Sequence, residues 1–294
     1  MRIATLLPSA TEIVCALGAQ DDLVGVSHAC DFPASIAHLP RLTTPHGRFG
    51  EAHQADLPAP WAVSLRRLGV FAVDATALAD CSPDLIITQR RGQRDEEREM
   101  GMLDLQTGLG EARVKLIDLQ PTRLDHIWED IEIVAAAIGR DAGPLLTDIR
   151  ARIAAVRAKV AGARRPSVVS IEWLSPVVVG GNWMPELLRL AGGEPLATEP
   201  SERSPTLTDA GLATLDPDVV LIKPCALDLA RVHLEAPRIA VLAGLFPRAR
   251  IYLCDGNAYF NHSGPRIIDS IELAASALHP DRFGLDPRLI WVQG

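Results

Sequence analysis

Residues 144–161 read PLLTDIRARIAAVRAKVA and decide how the chain is divided. Their apolar side chains recur at the helical steps of four, four, three and four, at Leu145, Ile149, Ile153, Val156 and Val160. A helix of this length spans about 27 Å, which is about the width of a small domain. It leaves 143 residues before it and 133 after it. We therefore predict a rigid spacer between two similar lobes, with an ordinary amphipathic helix inside one domain as the alternative.

The composition is that of a globular protein. Of the 294 residues, 48% are hydrophobic and 22% are charged. The net charge of −8 argues against nucleic acid as a partner, because binding to phosphates needs a basic surface. No apolar run approaches the roughly 18 residues that a spanning helix requires, so we expect no direct insertion into a membrane.

The start of the chain and its cysteines bear on the location of the protein. The apolar run 3–7 stops at Pro8 and is shorter than the roughly 7–15 residues of a signal-peptide core. Five cysteines without paired spacing are typical of a reducing compartment. Both observations predict a cytoplasmic location, and the alternative is a periplasmic protein whose leader has been removed.

Strand and helix patterns alternate along the chain, which predicts parallel α/β sheets. A repeat relates the two sides of the long helix: LADCSPDLIIT (78–88) and LATLDPDVVLI (212–222) match in four residues at an offset of 134. A second pair, PSATEIVCALG (8–18) and NWMPELLRLAG (182–192), has an offset of 174. We predict a duplicated lobe, although coincidence is the alternative because such motifs are common in α/β folds.

Signatures of catalysis and of metal binding are missing. The sequence has no P-loop, no dinucleotide-binding turn and no G-x-S-x-G elbow. No histidine pair has the helical spacing of a zinc site. His28, Cys30 and Asp31 are the remaining candidates for a soft metal, and an ordinary loop is their alternative. We therefore predict no catalytic and no metal-ligating residues, and hence no enzyme.

The aromatic residues have an uneven distribution. Only 13 of the 294 residues are Phe, Trp or Tyr. Four of them, Trp173, Trp183, Tyr259 and Phe260, fall in predicted loops just beyond strands of the C-terminal half. Because ligands bind at the carboxyl ends of parallel strands, these rings are placed to stack on a large, partly apolar ligand. The alternative is that they merely cover the ends of the sheet.

Six stretches in order carry a family resemblance: RIATLLPSATEIVCALG (2–18), VGVSHACDFP (24–33), SPDLIITQ (82–89), IEWLSP (171–176), GNWMPELLRLAGG (181–193) and DGNAYFNHSGPR (255–266). The sequence thereby resembles bacterial cobalamin (vitamin B12)-binding proteins, which are related to the B12-binding subunits of ABC importers. The resemblance implies two Rossmann-like α/β lobes with parallel sheets, bridged by one long helix as in helical-backbone periplasmic binding proteins. The implied boundaries are 1–142, 143–163 and 164–294, with a corrinoid such as cobalamin held between the lobes.

The resemblance also implies which residues line the ligand pocket. By position they are Pro8, Ser9, Ala10, His28, Asp31, Phe32, Gln89, Arg90, Glu172, Trp173, Asn182, Trp183, Asn257, Tyr259, Phe260 and His262. The aromatic side chains suit the face of the corrin ring, and the Ser, Asn and Gln side chains suit its amide rim. His28 or His262 is expected to hydrogen-bond the ligand, and ligation of cobalt is the alternative.

The sequence departs from the family pattern at the positions that are expected to contact an ABC transporter. Related binding proteins dock on a transporter through an acidic residue on each lobe, but the corresponding positions here are Thr76 and Ala210. Asp74 and Asp209 are near but out of register, so an ABC transporter as a partner is uncertain. We expect a soluble intracellular corrinoid-binding protein. The alternatives are the binding component of an ABC importer for cobalamin, haem or a metal–siderophore, and an enzyme that uses Glu172 or Asp255 as a base on a corrinoid.

Overall fold

The structure, a computed structural model, describes residues 1–44, 72–89, 114–225 and 227–293. The chain forms two compact units. The first comprises Met1–Gln120 and Glu129–Ala142, and the second comprises Pro121–Trp128 and Gly143–Gly294. Within the four described ranges, every helix is too short or too polar to reach across a lipid bilayer.

The first unit is built on a parallel sheet. Its strands are β1 (Ile3–Thr5), β2 (Leu23–Gly25), β3 (Thr43–Thr44), β4 (Ala72–Val73), β5 (Leu85–Thr88) and β6 (Lys115–Asp118). Four of them form a parallel sheet in the order β2–β1–β5–β6, while β3 and β4 pair antiparallel. The helices in the described part of this unit are α1 (Pro8–Ala16), α2 (Ala75–Asp80) and α3 (Leu124–Ile138), of which α3 begins in the chain segment that belongs to the second unit.

The second unit has a larger, mixed sheet. Its strands are β7 (Ser167–Leu174), β8 (Val177–Val179), β9 (Glu194–Pro195), β10 (Thr206–Leu207), β11 (Val219–Ile222), β12 (Arg250–Leu253) and β13 (Ile290–Gln293). They are arranged in the order β10–β8–β7–β11–β12–β13, and β9 pairs with β7. The central strands β7, β11 and β12 are parallel, whereas β8, β10 and β13 are antiparallel to their neighbours.

Seven helices accompany this sheet in the described part of the second unit: α4 (Gly143–Val160), α5 (Met184–Leu190), α6 (Asp209–Ala213), α7 (Leu229–Val232), α8 (Ala236–Leu245), α9 (Ile267–Leu278) and α10 (Pro280–Phe283). On one face of the sheet, Val169, Val220 and Ile251 join Ile239 and Leu242 of α8 in one buried cluster. Strands and helices alternate in both units as the sequence predicts, because continuous apolar runs form strands that are covered on both faces.

The long helix α4 belongs to the second unit by its contacts. It packs on α9, and the Arg152 guanidinium binds Asp269 at 2.5 Å and Glu272 at 2.7 Å. Leu146, Ile149 and Val156 are its buried side chains, so only part of the predicted apolar stripe faces the core. Its predicted role as a spacer between the lobes, and the boundaries 143 and 163, stay predictions.

The repeat at offset 134 corresponds to a repeated structure. Asp74 caps α2 by accepting the N–H of Ala77, and Thr208, 134 residues later, caps α6 by accepting the N–H of Gly211. Asp84 accepts the backbone N–H of Arg2 at 2.8 Å. Its counterpart Asp218 accepts that of Ser167 at 2.7 Å. In each unit the aspartate of the Pro-Asp pair therefore ties the start of the following strand to the strand beside it.

The repeat at offset 174 corresponds to a helix and its stop. Helices α1 and α5 each end before a glycine of positive φ, Gly18 at 71° and Gly192 at 86°. The two helix ends also have the same hydrogen-bond pattern. The N–H of Gly18 donates to the Cys15 carbonyl, and the N–H of Gly192 donates to the Arg189 carbonyl. Helix α1 begins at Pro8, and no side chain caps its N-terminal residue Leu7.

Candidate functional site

The first predicted site residues follow β1. Pro8, Ser9 and Ala10 form the first turn of α1, and all three are buried. Behind them the Thr11 hydroxyl lies 2.6 Å from the Thr5 hydroxyl and 3.0 Å from the Cys30 thiol. Backbone N–H groups at this helix start are the groups that remain for a polar ligand, because the side chains of the turn are enclosed in the unit.

The loop after β2 holds His28, Asp31 and Phe32. The His28 ring is half-buried, and its Nδ1 lies 2.8 Å from the Thr43 hydroxyl. Burial, and next the positive charge of Arg41, lower the pKa of His28, so the ring is neutral at neutral pH. Asp31 is exposed, and the Phe32 side chain is 45% exposed. This loop therefore combines a neutral imidazole with an exposed ring.

The residue that follows β5 is Gln89, which is 7% exposed. Its side chain is mostly buried at the carboxyl end of the sheet. Arg90, which the sequence predicts beside it in the pocket, lies outside the described residues, as does the charged run 90–99.

In the second unit the carboxyl ends of β7, β11 and β12 form one edge, which we call the carboxyl edge. Glu172 and Trp173 lie on β7, which runs to Leu174, so the prediction that Trp173 lies in a loop is wrong. The extension arises because β8 turns back and pairs with this end of β7. The Trp173 side chain is 43% exposed, and its indole N–H donates to the Ser175 carbonyl at 3.1 Å.

Lys223 is the charged residue that the sequence-based prediction missed. It directly follows β11 and is 0% exposed. Its Nζ lies 3.1 Å from Asn261 Oδ1 and 3.5 Å from Glu172 Oε2. The signal was present, because a lysine immediately after the apolar run 219–222 must either turn back to solvent or find buried partners at the carboxyl edge.

The segment after β12 brings three predicted residues to the same edge. Asp255 Oδ1 accepts the backbone N–H groups of Asn257 at 2.9 Å and Ala258 at 2.8 Å, which forms a tight turn. The half-buried Tyr259 ring lies beside two guanidinium groups, with its centroid 5.2 Å from Arg288 and 6.0 Å from Arg266. The turn thus presents Asn257 and Tyr259 on a supported frame, and His262 follows it, half-buried.

Trp183 and Phe260 are buried at 4% and 1% exposure. The Trp183 indole N–H donates to the Phe260 carbonyl at 2.9 Å, and the Phe260 N–H donates to the Ser270 hydroxyl at 2.8 Å. Phe260 also has a positive φ of 70°. These two rings therefore hold the loop in place, whereas the neighbouring Asn182 is half-buried at the surface.

The carboxylates considered as catalytic bases are engaged in structure. Glu172 contacts the Lys223 ammonium, and Asp255 accepts two backbone N–H groups. Among the described residues, no group of three or more His, Cys, Asp or Glu side chains is placed to hold a metal ion. The arrangement suits binding through rings and amides rather than covalent or metal chemistry.

The acidic residues near the expected docking positions have structural partners. Asp74 caps α2, and Asp209 forms two hydrogen bonds of 2.6 and 2.8 Å with the Arg238 guanidinium. The hydrogen bonds with Arg238 lower the pKa of Asp209. Thr76 and Ala210, at the docking positions themselves, are exposed.

Comparison with known proteins agrees with this architecture. A family model described as periplasmic binding protein matches residues 3–235. A vitamin B12-binding protein from Vibrio cholerae is 24% identical over 284 residues, which cover 94% of this chain and 88% of that protein. A periplasmic haem-binding protein from Pseudomonas aeruginosa has a TM-score of 0.72 at 22% identity and covers 100% of this chain and 98% of its own. An ABC transporter substrate-binding protein from Listeria monocytogenes has a TM-score of 0.68 at 18% identity, with coverages of 95% and 98%.

These similarities confirm the predicted fold class and the assignment to binding proteins rather than enzymes. They correct two other predictions. The cytoplasmic location is wrong, because the matching family model is that of periplasmic binding proteins. The soluble intracellular role has no support, and the importer alternative fits the relatives better. Neither the short apolar run 3–7, nor the unpaired cysteines, nor the non-acidic residues at the docking positions exclude a periplasmic binding protein.

Proposed function

Because the chain belongs to the periplasmic binding protein family, we propose that it binds a corrinoid such as cobalamin as the substrate-binding component of an ABC importer. The sequence relative from Vibrio cholerae is a vitamin B12-binding protein that aligns with nearly the whole chain, which supports a corrinoid. The solved neighbour that serves an ABC transporter supports the importer role.

The observation that carries the proposal is the exposed Trp173 at the carboxyl edge. Ligands of parallel α/β sheets bind at the carboxyl ends of the strands, and an exposed indole at that place can stack on a flat ligand. Its indole N–H is already bound to Ser175, so the ring has a fixed place on β7. Asn257 and Tyr259 lie in the turn after β12, and their amide and hydroxyl groups suit the amide rim of a corrinoid.

Binding is tested by titrating the purified protein with cyanocobalamin and, separately, with haemin, and by following the absorption bands and the heat of binding. We expect the corrin bands to shift, with a Kd in the micromolar range or tighter. If the protein binds haemin but not cobalamin, the proposed ligand changes from a corrinoid to haem. The haem-binding protein of similar fold is the precedent for that outcome. No binding of either would refute the proposal.

The second unit offers a matched pair of exposed tryptophans for this titration. Trp173 is 43% exposed at the carboxyl edge, and Trp291 is 48% exposed on β13 against Tyr252. We expect Trp173→Ala to weaken cobalamin binding by about tenfold, because stacking of an aromatic ring contributes on the order of 1 kcal/mol or more. Trp291→Ala should leave the Kd unchanged. Equal effects of both variants would remove Trp173 from the site.

The importer role is tested in bacterial cells that lack their own vitamin B12-binding protein but retain the membrane transporter. The chain, exported to the periplasm, should restore growth that depends on low cobalamin. If the protein binds cobalamin in solution but does not restore uptake, the importer role is wrong. The protein would then deliver the corrinoid to another acceptor.

A further inference from the structure

We infer that Lys223 is a positioning residue for the ligand, an inference that rests on the proposed binding function. Its ammonium fixes Glu172 and Asn261 at the carboxyl edge of the second unit. Glu172 thereby presents a carboxylate, a pure hydrogen-bond acceptor, to N–H donors on the ligand. That chemistry matches the side-chain amides of a corrinoid and disfavours ligands whose rim carries carboxylates.

Three chain segments converge on this lysine. Nζ reaches Glu172 on β7 at 3.5 Å and Asn261 after β12 at 3.1 Å, and Lys223 itself follows β11. The Asn261 amide returns two hydrogen bonds, to the Lys223 carbonyl at 3.1 Å and to the Gly256 carbonyl at 2.6 Å. The lysine side chain therefore links the ends of the three parallel strands in addition to the backbone hydrogen bonds between them.

The turn around this centre is tightly constrained. A Cβ at Gly256 would lie 2.0 Å from the Pro224 carbonyl oxygen, so the two loops touch backbone to backbone. The Phe260 ring lies 5.8 Å from Nζ, which gives the ammonium an aromatic neighbour. Small changes at Lys223 should therefore move Asn257 and Tyr259, which stand in the same turn.

Burial of the lysine has a cost that the fold does not require. Burying an ammonium carries a desolvation penalty of several kcal/mol, which an ion pair offsets only with good geometry and further hydrogen bonds. At the two corresponding positions the first unit has uncharged residues. There Gln89 occupies the place of Lys223 at the offset of 134, and counting along the parallel register puts Leu7 in the place of Glu172.

The side chain of Glu172 is 18% exposed, whereas that of Lys223 is 0% exposed. The glutamate can therefore reach a ligand, and the lysine acts only through it and through Asn261. An ion pair that is absent from the equivalent edge, and has only its acidic member near the surface, indicates a role in presenting that acid.

The test compares Lys223→Gln, which copies the residue of the first unit, with Glu172→Gln and with both changes together. Cobalamin binding is measured by calorimetry at a temperature far below the unfolding midpoint of each variant. We expect each single change to weaken binding by about tenfold, because a hydrogen bond to a charged group is lost. The double variant should lose less affinity than the two single losses added together, since the lysine acts in part through the glutamate.

Arg164→Gln is the control. It removes an ion pair with Asp218 at the opposite end of the same strands, where the Arg164 side chain is 75% exposed, and should leave the Kd unchanged. Wild-type affinity in a folded Lys223→Gln variant would overturn the inference. So would losses that simply add in the double variant, because they would mean that the lysine acts independently of Glu172.

A measurement without ligand separates this inference from the proposed function. Hydrogen–deuterium exchange of the ligand-free protein should show faster exchange in residues 255–262 of Lys223→Gln and no change there in Arg164→Gln. If the wild type binds no corrinoid but the loop exchanges faster in Lys223→Gln, the proposed ligand is wrong. The role of Lys223 in positioning the carboxyl edge is then still supported. If exchange in the loop is unchanged, the positioning role is refuted whatever the ligand.

Discussion

The two units use the same backbone device at the amino ends of their strands and different chemistry at the carboxyl ends. Asp84 and Asp218 tie neighbouring strands together through the same hydrogen bonds to backbone N–H groups. After the strand, the first unit places the neutral Gln89 and the second the buried cation Lys223. The repeat therefore preserves what pairs the strands, while the side chains at the edge have diverged.

This difference separates the residues that folding requires from those that it leaves free to vary. A hydrogen-bonded strand start is needed in both units, because an unpaired backbone group at the end of a sheet costs free energy. The carboxyl edge has no such requirement, so its residues are free to follow the ligand. Differences between two units with the same strand-pairing device thus mark residues of functional interest.

The largest expected contrast lies at the glycines that stop α1 and α5. A Cβ at Gly192 would lie 2.6 Å from His279 Nε2 and 2.9 Å from Val160 Cβ, whereas one at Gly18 meets nothing within 4 Å. Gly18→Ala should cost about 1 kcal/mol for the positive φ alone. Gly192→Ala should cost about 3 kcal/mol, because crowding adds to the same strain. Urea unfolding of both variants measures the difference, and equal costs would show that the second helix stop is not crowded.

The next contrast concerns the paired aspartates. Asp218 also accepts the Ser167 hydroxyl at 3.0 Å and two hydrogen bonds from Arg164, whereas Asp84 is bound to the backbone N–H of Arg2. Burial would raise the pKa of Asp218, but the hydrogen bonds from Arg164 and Ser167 outweigh it and lower the pKa. We expect Asp218→Ala to destabilise by about 2 kcal/mol and Asp84→Ala by about 1 kcal/mol.

Low pH should reduce the difference in destabilisation between Asp218→Ala and Asp84→Ala. A carboxyl whose pKa is lowered by folding contributes stability above its unfolded pKa of about 3.9, and that contribution is lost as the pH falls through the folded pKa. The extra cost of Asp218→Ala should therefore shrink below about pH 4. A cost that stays constant from pH 7 to pH 3 would contradict the role of the charged carboxylate.

The last effect concerns the stability of the folded state in the first unit. Its dependence on pH at Asp130 should have the opposite sign to that at Asp218. Burial, and then the charges of Glu129 and Asp118, raise the pKa of Asp130 to about 7. The folded state then binds a proton that the unfolded state releases, so stability falls as the pH rises from about 4 to 7. Asp130→Asn should stabilise by about 1–2 kcal/mol at pH 8 and little at pH 5.

Glu132→Gln, an exposed position on the same helix, serves as the control for Asp130→Asn. Unfolding midpoints in urea at pH 5 and pH 8 are the measurement, and the control should change neither. If Asp130→Asn destabilises equally at both values, the carboxyl is needed as a hydrogen-bond acceptor, and the repulsion that we infer is not decisive.

Much of the fold was predictable because its signals are local. The apolar runs that end near 88 and 222 form strands β5 and β11, and the predicted long helix is α4. The boundaries were less accurate. The strand through Trp173 runs two residues further than predicted, because pairing with β8 is a tertiary effect that periodicity does not contain.

The candidate site was less predictable than the fold. Trp183 and Phe260 read as ligand-stacking rings, but the structure buries both, and only packing reveals that. Lys223 escaped notice because its partners Glu172 and Asn261 are far away in sequence and meet it only through the topology of the sheet. Whether the predicted pocket residues bind the ligand stays a prediction for the titrations above.

The antiparallel strand β13 has a consequence for the behaviour of the protein in concentrated solution. It covers the outer side of β12, where Trp291 meets Tyr252 edge to face with ring centroids 5.3 Å apart. Without residues 290–293, the buried strand Arg250–Leu253 would expose a row of backbone donors and acceptors, which is a template for pairing with another chain. Strand β13 takes the edge position itself and thereby keeps the buried, apolar strand β12 paired on both sides.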